Sequence, residues 1–446
     1  MKSMKFIAVL AATALIGAAC GDDAPSSDTS AGAVNGAGKT LNVLVQANTI
    51  YPEQQRQWFT DTAAKFKAAT GADVKFETFA SPNDELTKIQ TSVLSSQGPD
   101  VYSLGTTFTP TAYATGAFLV LKDDDWKKIG GKDAFLPATL GISGPDAEHQ
   151  VGIPFASRPF VMAYNTELLK AAGIDKPADS WDGLLEQAKK LTTGGNYGLA
   201  VAYADGFDPW KFIWAMSVQA GNPLVSGRKA TLDDPATLKA YQTYLGWLAT
   251  DKVVNPAAVG WKNAQAIADF GAGKSAFLPM VTATSKPTLD KSAVAGKYAY
   301  AIMPTTPPGQ SSKPGNGVGA TSILSGDNLV VANYTKNKDL ALALVKQLTS
   351  AESQEAYYKT FGEMPTNAEA AKKLQADPAL AAIIESSSKA AGTPFSGAWS
   401  QVQLALVNVV VQSIPALQAG KVDDAKLKSL VADAQKAAQD AIDKTK

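Results

Sequence analysis

The sequence predicts an α/β fold that begins with a parallel β-sheet. Three short apolar runs have the length of strands, at residues 41–45, 74–79 and 101–104. The two segments between them carry apolar residues at helical spacing. An order of strand, helix, strand, helix and strand requires parallel strands joined by right-handed crossovers. With 446 residues, the chain is also long enough for two domains of ordinary size.

The first two helices are bounded by residues that commonly begin or end a helix. The first carries apolar residues at helical spacing between Trp58 and Phe66, and we expect Gly71 to end it. Ser81 is the expected cap of the second helix, which should end before Gly98. The apolar positions of that second helix are Leu86, Ile89, Val93 and Leu94.

The remainder of the chain repeats the α/β alternation less regularly. Further helices are expected at residues 184–191, 237–248, 340–348, 401–414 and 422–442. Proline and glycine cluster at residues 304–319, which predicts a loop there.

The topology of the sheet indicates where a ligand would bind. In open α/β sheets, ligands occupy the crevice beyond the carboxyl ends of the strands. That rule nominates the loops at residues 46–51, 80–84 and 105–109. Their neutral hydrogen-bonding side chains are Asn48, Asn83, Thr106 and Thr107. Each of these residue types also serves commonly in turns and caps.

The N-terminus has the pattern of an export signal. A basic start precedes the apolar run of residues 6–19, which is too short to cross a bilayer. Small residues lead into Cys20, an arrangement that resembles a bacterial lipobox. We therefore expect a signal peptide at residues 1–19 and a lipidated Cys20 followed by a flexible tether over residues 20–38. The alternative is ordinary cleavage after Ala19, with a cysteine present by chance.

Composition excludes several classes of chemistry. The 41 basic and 41 acidic residues cancel, so no net field favours nucleic acid. The only histidine, His149, lies in a polar stretch, and the only cysteine is Cys20. We expect no metal site, no cofactor and no Ser-His-Asp triad, because none of these can be assembled from such a set.

Several segments, in this order, resemble the carbohydrate-type substrate-binding lipoproteins of ABC importers, the maltose-binding-protein-like group. The spaced Tyr-Asn-x-x-Leu-Leu and Ser-Trp-Asp-x-Leu motifs are the most specific of them. The matching segments are residues 66–74, 97–101, 151–154, 163–174, 180–184, 270–277, 337–344 and 348–350. Together they span nearly the whole expected mature chain.

The resemblance implies a two-lobe periplasmic-binding-protein-like fold with a ligand cleft between the lobes. The chain would cross between lobes near residues 153–158, 321–326 and 364–378. The first lobe would then comprise residues 39–157 with 325–372, and the second 158–324 with 373–446. Such a receptor performs no catalysis and delivers its ligand to an ABC permease in the membrane.

A sugar-binding cleft needs flat aromatic side chains beside hydrogen-bonding groups, because sugar rings have apolar faces and polar rims. Residues 203–214 meet this demand, with Asp208 at a helix start and Trp210 and Trp214 four residues apart on one face. The resemblance places a stacking tryptophan at Trp399 as well. For all three tryptophans the alternative is a purely structural position in the core. We interpret Trp58, Trp126, Trp181 and Trp247 as structural.

The resemblance also implies ligand-facing side chains at Asn48 and Thr107, although an acidic residue is common at the second position. It places Arg158 at the first crossing segment, where the family often has a polar ligand-binding side chain. The planar guanidinium would suit vicinal hydroxyls, a carboxylate or a phosphate. A salt bridge at the hinge is the alternative for Arg158.

The expected function is therefore a monomeric receptor, lipid-anchored at the extracytoplasmic face of the cell membrane, that captures a small carbohydrate. One rival is a receptor for an anionic ligand, such as a glycerophosphodiester or sugar acid, bound by Arg158. A secreted glycoside hydrolase would need two paired carboxylates, and nothing in the sequence pairs Asp205 with Asp208. An adhesion or scaffold protein would not respond to small ligands.

Overall fold

A computed structural model describes residues 34–319 and 322–445. The predicted signal peptide and Cys20 lie outside the described residues. The strands are β1 (Thr40–Gln46), β2 (Asp73–Phe79), β3 (Val101–Gly105), β4 (Ile153–Ser157), β5 (Val161–Asn165), β6 (Tyr197–Leu199), β7 (Val225–Ser226), β8 (Lys229–Ala230), β9 (Ser275–Val281), β10 (Tyr298–Ala301), β11 (Gly326–Val331) and β12 (Met364–Pro365).

The helices extend over more of the chain than the strands do. They are α1 (Pro52–Thr70), α2 (Pro82–Ser95), α3 (Thr109–Ala114), α4 (Asp123–Ile129), α5 (Pro137–Leu140), α6 (Thr166–Ala171), α7 (Trp181–Leu191), α8 (Pro209–Gln219), α9 (Pro235–Ala249), α10 (Asn263–Gly271), α11 (Lys286–Leu289), α12 (Lys338–Thr349), α13 (Ala351–Phe361), α14 (Ala368–Leu374), α15 (Ala381–Lys389), α16 (Trp399–Gln418) and α17 (Asp424–Lys444).

The first lobe is built on a six-stranded sheet of order β12-β4-β11-β3-β1-β2. Strand β1 is parallel to both β2 and β3, as the βαβαβ pattern predicts, and Val43 pairs with Phe76 on one side and Val101 on the other. Strand β11 is antiparallel to its neighbours β3 and β4. The chain thus returns to the first lobe after building part of the second, as the resemblance implies.

The predicted boundaries of α1 and α2 hold with one change. Gly71 ends α1 in the left-handed conformation (φ 79°), and the Oγ of Ser81 accepts the N–H of Asp84 at the start of α2. Helix α2 ends three residues earlier than the Gly98 signal suggests, because Ser96 adopts a left-handed conformation (φ 51°). Leu94, in its last turn, is 87% exposed.

The second lobe contains a four-stranded sheet of order β10-β5-β9-β6 and the largest apolar core. Helices α8, α9, α16 and α17 meet in that core. Trp181 starts α7 fully buried, with its Nε1–H donating to Oε1 of Gln219 at 2.7 Å, so its expected structural position is confirmed. Helix α16 is long and apolar enough to span a membrane by composition, but most of it is buried in this core.

Three passages connect the lobes. The chain leaves β4 for β5 through residues 158–160, returns from β10 to β11 over a segment described at residues 302–319 and 322–325, and leaves β12 for α15 through residues 366–380. The N–H of Arg158 donates to the carbonyl of Ser325 at 2.8 Å, which ties the first two passages together. The expected boundary after residue 372 falls inside α14.

The residues before β1 and the turn before β12 both make close backbone contacts. The expected tether extends to residue 38, but Val34 packs against the first-lobe core and the N–H of Gly36 donates to the carbonyl of Thr70 at 2.7 Å. Part of the expected tether, within residues 34–38, thus contacts the first lobe. Gly362, just before β12, has a φ of 72°, and a Cβ there would lie 2.3 Å from the carbonyl oxygen of Ala283 in the second lobe.

Candidate ligand-binding site

A cavity of about 390 Å³ lies between the two lobes. The first lobe contributes residues 45–51 and 80–81 with Ser103, Gly105, Thr107 and Phe108, at or just beyond the carboxyl ends of β1, β2 and β3. The second lobe contributes residues 204–211, 262–263 and 282–284, and the crossing segments contribute Phe155, Arg158 and residues 325–327. The loops that the crevice rule nominates thus line this cavity.

Asn48 and Thr107 both line the cavity, but their side chains already have partners. The Oδ1 of Asn48 accepts the N–H groups of Ile50 and Tyr51, which leaves the amide nitrogen as the group available to a ligand. The Oγ1 of Thr107 donates to Oε1 of Gln403 at 3.0 Å. Because Gln403 belongs to α16, this bond joins the two lobes across the cavity wall.

Three predicted site residues do not line the cavity. Trp214 and Trp399 are 1% and 0% exposed and belong to the second-lobe core, so the structural alternative is the correct one for both. Helix α8 is apolar on nearly every side. The four-residue spacing of Trp210 and Trp214 therefore does not show whether a side chain faces the cavity or the core. Thr106 is 7% exposed, and its N–H donates to the carbonyl of Gly326.

Trp210 and Asp208 do line the cavity, at the start of α8. Trp210 is 1% exposed and packs edge to face against Trp399, with ring centroids 6.0 Å apart. Oδ1 of Asp208 lies 2.6 Å from Nζ of Lys211, whose ammonium also sits 4.5 Å from the ring centre of Phe160. Burial raises the pKa of Asp208, and Lys211 opposes that shift.

Arg158 lies at the cavity, and both hydrogen-bonding edges of its guanidinium group are occupied by carboxylates. Its Nη1 and Nη2 donate to the two carboxylate oxygens of Asp327 at 2.7 and 2.6 Å. Nε and Nη2 donate to Oε1 of Glu363 at 2.9 and 2.7 Å. Although burial opposes it, the charges of Asp327 and Glu363 raise the pKa of Arg158 well above its ordinary value. The hinge salt bridge is therefore what the structure shows for Arg158.

Several cavity residues escaped the sequence analysis. Trp58, taken there as structural, lines the cavity with Tyr357 at a ring-centroid distance of 5.2 Å. Glu85 is 2% exposed, and its Oε1 has no hydrogen-bond partner in the part of the chain that the structure describes. Burial, reinforced by the charge of Asp327, raises the pKa of Glu85 well above its ordinary value. A carboxylate inside an otherwise apolar helical spacing was the available signal for Glu85.

Tyr51 lines the cavity and connects the two lobes. Its hydroxyl donates to the carbonyl of Thr284 at 2.5 Å and accepts from Oγ1 of Thr288 at 3.0 Å. Tyr51 follows β1 in the first lobe, whereas both partners belong to the second lobe. Burial raises the pKa of Tyr51, so the hydroxyl keeps its proton for this bond.

The charges lining the cavity favour cations or neutral donors over anions. The acidic residues of the lining are Glu85, Asp205, Asp208, Asp327 and Glu363, and the basic ones are Arg158, Lys211 and Lys262. Aromatic side chains are interleaved with them: Tyr51, Trp58, Phe108, Phe155, Phe160, Phe207, Trp210 and Tyr357. Among residues 34–319 and 322–445, no group of three or more acidic, histidine or cysteine side chains is arranged to hold a metal ion.

A cavity between two α/β lobes joined by three passages defines a two-lobe binding protein. The model for bacterial extracellular solute-binding proteins matches residues 61–382, and the chain belongs to that family. Family members are solute-binding proteins that act outside the cytoplasm.

Individual relatives agree with this assignment. The diacetylchitobiose binding protein DasA of Streptomyces coelicolor is 27% identical over 397 residues, which cover 86% of this chain and 87% of DasA. A solute-binding protein of Thermotoga lettingae solved with α-D-tagatose superimposes with a TM-score of 0.73 at 21% identity, covering 91% of this chain and all of that one. Maltose-bound MalE3 of Thermotoga maritima gives a TM-score of 0.73 at 20% identity, covering 89% and 99% of the two chains. These two structures support the fold.

Proposed function

We propose that this protein is the substrate-binding component of an ABC importer and that it captures a neutral carbohydrate of one or a few sugar units. The observation that carries the proposal is the lining of the cavity, where eight aromatic side chains alternate with hydroxyl, amide and carboxyl groups. Aromatic faces match the C–H faces of sugar rings, and the polar groups match their hydroxyls. A volume of about 390 Å³ is at the small end for a ligand site, in keeping with a small sugar.

The relative that matches most of this chain's length and the two solved neighbours favour the same ligand class. DasA is named for binding diacetylchitobiose, and the two solved neighbours were crystallised with tagatose and maltose. The anionic alternative is disfavoured, because Arg158 already donates to two carboxylates and acidic groups outnumber basic ones around the cavity. An additional phosphate or carboxylate would face this excess of negative charge.

The proposal extends to the setting of the protein. We place it as a monomer at the extracytoplasmic face of the membrane, held by a lipid on Cys20, with the closed lobes presented to a permease. Replacing Cys20 by Ala should release the protein from membranes into the medium or periplasm, as followed by cell fractionation. Retention of the Cys20→Ala protein in membranes would contradict the anchor and leave the sugar proposal intact.

Ligand binding is tested by calorimetry and thermal unfolding with two matched panels. The neutral panel is diacetylchitobiose, maltose and tagatose; the anionic panel is glucuronate and glycerol 3-phosphate. A ligand present at 100 times its Kd should stabilise the protein by about 2.7 kcal/mol. Binding confined to the anionic panel would overturn the proposal. Release of reducing ends from the oligosaccharides at trace protein concentration would indicate a hydrolase instead.

A further inference from the structure

Two carboxyl groups in the cavity wall each have a buried oxygen without a partner. Oε1 of Glu85 and Oε2 of Glu363 make no hydrogen bond within residues 34–319 and 322–445. The two residues are only 2% and 5% exposed, and both line the cavity. An unsatisfied buried acceptor is costly, so native proteins rarely retain one without a further partner.

The two groups are linked through the same ion pair. Glu363 binds Arg158 through its other oxygen, and Arg158 in turn binds Asp327 in a bidentate arrangement. Asp327 also lies close enough to Glu85 for its charge to be felt there. One guanidinium thus serves a neighbourhood of three carboxyl groups, and both of its carboxylate-binding edges are already occupied by Asp327 and Glu363.

We propose that Glu85 and Glu363 bind hydroxyl groups of the ligand through these unpartnered oxygens, and that they make this part of the cavity selective for an uncharged polyhydroxylated group. The inference rests on the proposed function and narrows it to two specificity-determining residues. A sugar hydroxyl can donate to a carboxylate or accept from a carboxylic acid, so it satisfies either protonation state. A phosphate or carboxylate is repelled by an ionised glutamate and can be accommodated only where the glutamate is protonated.

The opposing interpretation is that both residues are only structural members of the hinge ion network. The two interpretations predict different effects of Glu85→Leu on thermal stability. Oε1 of Glu85 has no partner and burial disfavours the charged carboxylate, so Glu85→Leu should leave the thermal midpoint of the ligand-free protein unchanged or higher, despite the loss of its contact with the backbone of Gly105. A structural carboxyl group would instead lower that midpoint when lost.

The experiment measures Kd for diacetylchitobiose, maltose and tagatose with the unmodified protein, Glu85→Leu, Glu85→Gln and Glu363→Gln. For whichever sugar binds, Glu85→Leu should weaken binding by about 10- to 100-fold, the effect of a hydrogen bond to a charged group. Glu85→Gln retains hydrogen-bonding atoms and should recover most of that loss. Glu363→Gln should weaken binding less than Glu85→Leu does, because its amide can still meet the hydroxyl.

Selectivity gives a second readout. Glucuronate should bind the unmodified protein far more weakly than the neutral sugar does, and the double variant Glu85→Gln/Glu363→Gln should reduce this ratio of Kd values by at least 10-fold. Sugar binding that is the same in Glu85→Leu and the unmodified protein would overturn this inference and leave the proposed function standing. Preference of the unmodified protein for glucuronate would overturn both.

Discussion

The two groups of charges in the cavity wall are balanced differently. In the second lobe, the ammonium of Lys211 faces one carboxylate, Asp208, at 2.6 Å. At the crossing segments, the guanidinium of Arg158 serves both Asp327 and Glu363. The second-lobe pair has one cation for one carboxylate. The hinge group, which consists of Arg158, Asp327 and Glu363, has one cation for two carboxylates. The hinge group therefore depends more strongly on its single cation, and it is the better place to reject anions.

The largest effect should come from removing the cation of the hinge group. Arg158→Met leaves Asp327 and Glu363 buried without their partner, and should lower the free energy of unfolding by about 3–5 kcal/mol. Denaturant titration measures this loss. Arg228→Met is the matched control, because among the described residues Arg228 binds backbone carbonyls near the C-terminus and no carboxylate. A loss for Arg158→Met no greater than for Arg228→Met would show that the hinge network contributes little.

The matched pair of the second lobe should be less sensitive. Lys211→Met leaves a single carboxylate, Asp208, without its partner and should cost about 1–3 kcal/mol in the same titration. Burial already raises the pKa of Asp208, so loss of the ammonium should make protonation of that carboxyl easier still. The comparison between the two regions fails if Lys211→Met is as destabilising as Arg158→Met.

Glu85 is a further carboxyl group next to the hinge group. Its titration should make the free energy of unfolding depend on pH. Because burial raises the pKa of Glu85, the folded chain holds this proton at pH values where the unfolded chain has released it. Its contribution to stability is thus fully present below the unfolded pKa of about 4.3 and is lost as pH rises through the folded pKa. Glu85→Gln removes this titration.

We expect Glu85→Gln to be more stable than the unmodified protein at pH 7.5 by about 1 kcal/mol, and to show a smaller gain at pH 4.5. Denaturant titrations at the two pH values measure the difference. A gain that is larger at pH 4.5 would mean that the carboxylate form of Glu85 is the one stabilised by its surroundings.

The smallest effect concerns closure of the lobes over both charge groups. Tyr51→Phe removes the hydroxyl that binds Thr284 and Thr288 across the lobes, at a cost of about 0.5–1.5 kcal/mol. Tyr241→Phe removes a comparable bond to the carbonyl of Leu406 within the second lobe. We expect only Tyr51→Phe to weaken sugar binding and to enlarge the radius of gyration measured by solution scattering. Equal effects on sugar binding would argue against a closing role for Tyr51.

Local sequence patterns predicted the first lobe well. Apolar runs and helix caps are set by neighbouring residues, so β1, β2, β3 and the ends marked by Gly71 and Ser81 followed from the sequence. The loops beyond those strands were then expected to line a crevice, and they do. The two-lobe architecture came from the resemblance, since the second half of the chain has no equally regular pattern.

Side-chain partners were less predictable, because they depend on residues far away in the chain. Trp210 and Trp214 share one helix face in projection, yet only Trp210 reaches the cavity. Arg158 is separated by about 170 and 205 positions from the carboxylates that bind it, so its pairing could be stated only as an alternative. Trp58 has apolar neighbours at helical spacing, which favoured the core over the cavity wall.

The close approach at Gly362 limits how the two halves of the molecule can move together. Its missing side chain is what lets the turn between α13 and β12 lie against the carbonyl of Ala283 in the second lobe. A single added methyl group would clash with that carbonyl and would keep the two lobes from closing fully, whatever sugar is present. A variant held in the open conformation would test whether the permease distinguishes the empty receptor from the loaded one by its conformation alone.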